Sequence, residues 1–153
     1  MKIIYLICAI VVLQITCAAQ TNSVKVNGVE VGTWYPAAVR KLGKPVSVRH
    51  NETFPCEDGK VLTARYNGLV LRFIESYPAK KLFVGSIEIT SAKWSVSGIK
   101  IGANFKDVKA EFSGKLRYEG NFKVYGGFIK DGFSHFYFKN GKLVKIIAEI
   151  NLC

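Results

Sequence analysis

His50 and His135, together with Cys56 and Cys153 of the downstream chain, are the side chains best suited to acid–base or nucleophilic chemistry near neutral pH. Neither histidine stands in a His-x-x-x-His, Gly-x-Ser-x-Gly or paired-carboxylate context, so a nucleophile, its base and an orienting group cannot all be named. The pattern predicts no enzyme, metal or cofactor, and a small secreted hydrolase is the least supported reading. Cys56 and Cys153 pair most simply as a disulfide in an exported protein. Such a bridge would close the chain from Cys56 to its last residue and, in the chain-entropy model, add up to about 4 to 5 kcal/mol. Two free thiols or a metal pair are the alternatives, and no recognisable spacing supplies the other ligands that a zinc site needs. Asn51-Glu52-Thr53 matches the N-glycosylation sequon, which has meaning only in a eukaryotic secretory host.

Residues 1–19 read as a secretory signal. Met1-Lys2 supplies the positive start, Ile3 to Leu13 the apolar stretch, and Cys17-Ala18-Ala19 a small-residue cleavage site before Gln20. Gln14-Ile15-Thr16 is a poor lipobox, which argues against lipid anchoring at Cys17. The expected mature chain, 20–153, is one domain with no transmembrane span, exported to a periplasm or beyond the cell. Lys and Arg number 22 against 11 Asp and Glu, a net +11 of which Lys2 carries one. This surplus favours an acidic protein or an anionic envelope component as partner, set against the plainer reading of a soluble cationic surface.

Gly32 to Gly43 (GTWYPAAVRKLG) is echoed by Gly102 to Gly114 (GANFKDVKAEFSG), and strand-like segments follow each. In the first, Trp34, Ala38 and Leu42 recur at helical spacing, Pro36 suits a first turn and Gly43 a terminus. In the second, Phe105, Val108 and Phe112 form one stripe. Alternating runs predict strands at Val61 to Tyr66, Leu69 to Glu75, Leu82 to Thr90, Leu116 to Tyr118, Phe122 to Tyr125, Phe133 to Phe138 and Leu143 to Ile150. Asn67-Gly68, Asp131-Gly132 and Asn140-Gly141 mark turns between them. The expected fold class is α+β: two tandem helix-then-antiparallel-strand repeats, about 24–92 and 93–153, sharing one sheet with the helices on one face.

The Leu42-Gly43-Lys44-Pro45 helix end, Ile99-Lys100-Ile101-Gly102 before the second helix, and Phe136-Tyr137-Phe138-Lys139-Asn140-Gly141-Lys142-Leu143 near the end resemble the β-lactamase-inhibitor-protein-like superfamily. The same helix-then-sheet unit occurs in small outer-membrane-assembly lipoproteins. The resemblance implies non-enzymatic binding, in which a concave sheet face and its loops grip another protein. It points to an inhibitor or immunity-type protein, with an envelope structural or outer-membrane-assembly factor as the alternative. Inhibitor members carry a disulfide inside each repeat, whereas a Cys56–Cys153 bridge would tie the first repeat to the C-terminus.

Strand parity then predicts the exposed face. Leu69, Leu71 and Phe73 point inward and Arg72 outward; Val144, Ile146, Ala148 and Ile150 point inward and Lys145 outward. With Phe136 and Phe138 in the core, His135 and Tyr137 face out, beside Lys123 and Tyr125. Arg72, Lys123, Tyr125, His135, Tyr137 and Lys145 are therefore the candidate partner-binding residues, since aromatics and arginine are enriched in recognition surfaces. An ordinary solvated sheet face has the same parity. Trp34 and Trp94 are expected in the core or between the repeats. Phe122-Lys123-Val124-Tyr125 mimics a base-stacking platform, but strand alternation explains it and export argues against nucleic acid.

Overall fold

The computed structural model describes residues 23–51 and 60–151. The expected leader, Cys17, Cys56, Cys153 and most of the glycosylation sequon lie outside these residues. Eight strands form one antiparallel sheet: β1 (Ser47–Asn51), β2 (Val61–Tyr66), β3 (Leu69–Glu75), β4 (Leu82–Ile89), then β7 (Lys115–Glu119), β8 (Phe122–Ile129), β9 (Gly132–Lys139) and β10 (Lys142–Ile150). Their spatial order is β1-β2-β3-β4-β10-β9-β8-β7, so among the described residues β4 and β10 meet in the middle and β1 and β7 are the two edges. Two-residue turns join most neighbours. Gly68 and Gly141, at φ 75° each, take the left-handed conformation that such turns require.

One face of this sheet is covered. The covering layer holds α1 (Tyr35–Leu42), α2 (Phe105–Glu111), a small ribbon of β5 (Ser95–Val96) and β6 (Ile99–Lys100), and the stretch 24–31. Leu69, Leu71 and Phe73 of β3, Ile87 and Ile89 of β4, and Phe136 and Phe138 of β9 are almost wholly buried beneath it. Burying each such side chain contributes roughly 1.5–3 kcal/mol. Tyr35 meets Phe73 edge-on at 4.9 Å between ring centroids, and Phe105 meets Phe138 at 5.5 Å. Before each helix the chain runs beside a central strand: Gly32 N–H donates to Val84 O at 2.7 Å, and Gly102 N–H to Leu143 O at 2.7 Å. Pro36 stands in the first turn of α1, while at α2 the Asn104 N–H donates to the Asp107 carboxylate at 3.1 Å.

The fold class expected from sequence, α+β in two tandem helix-then-strand repeats, is corrected by this arrangement. The protein is mostly sheet, organised around one eight-stranded antiparallel array, with helices of only eight and seven residues. The physical reason is length. Helices of about two turns present only a few apolar side chains each, Ala38 buried in α1 and Val108 in α2, too little to cover four strands apiece. Val24, Val26 and Val29 of the stretch 24–31, Trp94, and Val96 and Ile99 of the β5–β6 ribbon complete the cover, and Val26 bridges to Val96.

Candidate recognition face of the sheet

Alternation sends every second side chain to the face opposite the helices, and the register aligns those side chains in rows across the strands. One row runs Arg49, Thr63, Arg72, Ser86, Glu149, Phe133 and Phe128. A second contains Val70, Glu88, Ile147, His135 and Gly126. A third contains Lys145, Tyr137, Val124 and Arg117. Arg72, His135, Tyr137 and Lys145 thus lie on the face where parity placed them.

Lys123 and Tyr125 do not, and this corrects the sequence expectation. The register of β8 pairs Lys123 with Phe138 and Tyr125 with Phe136, so both share the covered face with those core phenylalanines. Tyr125 is 5% exposed, its hydroxyl donates to Phe112 O at 2.9 Å, and its ring meets Phe105 at 5.4 Å. The Lys123 ammonium lies 4.1 Å from the Phe105 ring centroid, its stem along apolar surface. The β10 parity also needs one correction. An irregularity between Leu143 and Lys145 lets Leu143, not Val144, enter the core, while Lys145 keeps its outward position. Trp94 is buried as expected, its indole N–H donating to Asn67 O at 2.8 Å. Trp34 departs from the core reading: it is 45% exposed and packs edge-on against Phe83 beside a hollow of about 470 Å³ with Lys80 and Lys81.

At the β7–β10 end the outward side chains hold one another. The Lys145 ammonium sits 4.2 Å from the Tyr137 ring centroid, and the Tyr137 ring meets His135 and Phe122 edge-on. Arg117 donates through Nε to Glu119 at 2.6 Å. That hydrogen bond, aided by nearby positive charge, holds the Glu119 carboxyl below the usual carboxylate range. His135 is shifted below its ordinary value, first by burial and then by the Arg117 charge, with Glu149 and Glu119 opposing. Burial and then Glu119 push the Tyr137 hydroxyl up. His135 lies across Gly126, where a Cβ would come within 2.6 Å of the imidazole Cδ2 and 2.5 Å of Ser134 O.

Beside this cluster a groove of about 500 Å³ runs between Lys115, Arg117, Phe128, Phe133 and His135 over the Gly126–Gly127 backbone. Phe128 is 78% exposed and leans on Phe133 at 4.9 Å. Sequence reasoning missed Arg117, Glu119, Phe128 and Phe133. The Gly126-Gly127 pair inside an otherwise strand-like run was the available sign of close backbone approach. His50 lies on β1 and His135 on β9, with four strands between them. At about 4.8 Å per strand they are roughly 24 Å apart, too far to share a proton-transfer site.

The fold and this face define a predominantly antiparallel-β protein with one covered and one side-chain-rich sheet surface. No family model and no curated protein matches the chain. Among solved structures it is similar to an extracellular protein containing an SCP domain from Bacillus anthracis strain Ames, with a TM-score of 0.53 and 15% identity. The match covers 80% of this chain and 44% of that one, so this chain spans less than half of that protein's length. The likeness is one of fold. Among the described residues no helix is long and apolar enough to cross a membrane.

Proposed function

We propose that this chain is an exported, non-enzymatic binding protein that occludes an acidic protein partner with the β7–β10 end of its open sheet face, in the manner of an inhibitor or immunity protein. The observation that carries the reading is the cluster of Lys145, Tyr137 and His135, in contact with one another beside the Arg117–Glu119 pair on the face opposite the helices. Aromatic rings beside cations are what recognition surfaces concentrate, and their restraint lowers the entropy lost on docking. The net charge of +11 supplies a field that steers acidic surfaces toward it. The signal-like leader and the resemblance to inhibitor proteins point the same way.

The test is affinity capture from secreted and periplasmic fractions, followed by titration of the recovered acidic protein against charge-reversed variants. Lys145→Glu is expected to weaken binding at least about tenfold, equal to about 1.4 kcal/mol. Arg72→Glu is expected to act mainly on the association rate and its salt dependence. Lys109→Glu, on exposed α2, serves as the control from the covered side. Equal affinities for wild type and Lys145→Glu would reject this face as the binding surface.

A further inference from the structure

Strand β7 is an edge with a self-matching sequence. Its five residues, Lys115-Leu116-Arg117-Tyr118-Glu119, are all exposed, and among the described residues it pairs on one side only, with β8. Leu116 and Tyr118 remain 44% and 73% exposed. An edge strand leaves a row of backbone N–H and C=O groups open to another strand, and lysine or arginine on it ordinarily discourages such pairing. Here the guard contains its own complement. If β7 lies antiparallel to a second β7 about a two-fold axis at Arg117, Lys115 falls opposite Glu119 and Leu116 opposite Tyr118, each pair occurring twice. Lys115, Arg117 and Glu119 share one sheet face by alternation, and Leu116 and Tyr118 the other, so every pairing joins side chains on the same side. The two Arg117 side chains meet at the axis, but each is already bonded to its own Glu119 at 2.6 Å.

The other edge lacks this property. Self-pairing of β1 would set Arg49 opposite Arg49, and Ser47-Val48-Arg49-His50-Asn51 contains no carboxylate to offset it. We infer that two copies of this chain associate through β7, adding strand to strand into one continuous sixteen-stranded sheet with isologous symmetry. Charge complementarity selects the occupant: a second β7 supplies the carboxylate that each Lys115 faces and the apolar side chain that each Leu116 and Tyr118 faces.

Sedimentation equilibrium of the exported chain tests this, with unfolding curves confirming that each variant is folded. The expected result is a concentration-dependent dimer. Lys115→Glu and Glu119→Lys alone each place like charges opposite one another and should raise the dimer dissociation constant at least tenfold. The combined K115E/E119K exchange restores opposite charges across the axis, and also an acid beside Arg117 on the same strand, and should recover the dimer. A chain that stays monomeric up to millimolar concentration overturns the inference. So does a dimer indifferent to the single reversals, a double exchange that fails to rescue, or growth into open-ended filaments through β1 and β7.

Discussion

The two ends of the outward sheet face carry the same sign of charge with different support. Toward β1–β3, Arg49, Arg65 and Arg72 are exposed, and Arg72 stands between Thr63 and Ser86. Toward β7–β10, Lys145 lies on Tyr137, Arg117 is bonded to Glu119, and His135 is laid across Gly126. An exposed arginine loses about 2 kcal/mol of rotamer freedom when a partner fixes it, whereas a cation already held by a ring or carboxylate has lost part of that freedom on folding. The first end is therefore suited to steering and the second to holding. Two surfaces alike in the sign of their charge differ in what they contribute to a complex because a ring and a carboxylate already restrain the cations of one of them.

The largest effect that separates the ends is structural. Gly126→Ala places a Cβ against Ser134 O and the His135 ring, and the backbone contact cannot rotate away. Overpacking of this kind costs about 1–3 kcal/mol, read as a lower midpoint in denaturant. The same variant should free His135 to titrate nearer its ordinary value in an NMR pH series. An unchanged midpoint would mean that β8 and β9 are not so closely apposed.

A smaller effect distinguishes the two tyrosines that the sequence grouped together. Tyr125→Phe removes the hydroxyl that donates to Phe112 O within the covered layer, and should cost about 1 kcal/mol in denaturant unfolding. Tyr137→Phe, on the outward face, should fall within about 0.5 kcal/mol of wild type, as surface substitutions commonly do. Reversed magnitudes would exchange the faces assigned to them.

The smallest effect is pH dependence. His135 has a folded-state value below its unfolded one, so in that interval the unfolded chain binds more protons and stability rises with pH. Stability is accordingly lost as pH falls from about 6.5 toward the folded value, and His135→Gln should remove that part of the slope. Arg117→Gln should move the His135 titration upward, because the Arg117 charge lowers it. A His135 titration at or above its ordinary value would break the link between this histidine and its neighbours.

Much of the sheet was legible residue by residue. The apolar-rich runs Val61 to Tyr66 and Leu69 to Glu75 are set off by turn signals, and their strands have the expected bounds. His135 and Tyr137 follow from the core placement of Phe136 and Phe138, because neighbours on one strand must alternate. Lys123 and Tyr125 could not be placed in this way. Within Phe122 to Tyr125 either parity buries an aromatic, and only the cross-strand pairing of Tyr125 with Phe136 decides between them. Leu143 took the place of Val144 for a related reason: a one-residue irregularity shifts parity without leaving a mark in composition.

By itself the sequence determined the local facts: which runs form strands, where Asn-Gly reverses the chain, where two short helices fall, and that the chain is strongly basic, whereas the expected Asp131-Gly132 turn falls one residue earlier, at Lys130-Asp131, with Gly132 opening β9. These depend on steric preferences and side-chain period, which act over a few residues. Tertiary structure alone decided that the stretch 24–31 and the β5–β6 ribbon complete the cover over the sheet, that β4 and β10 join its halves, and that Arg117, His135, Tyr137 and Lys145 share one end of the outward face while Lys123 and Tyr125 turn away. These are matters of register and cross-strand apposition, set by contacts between residues far apart in the chain, and local periodicity cannot encode which strand comes to lie beside which.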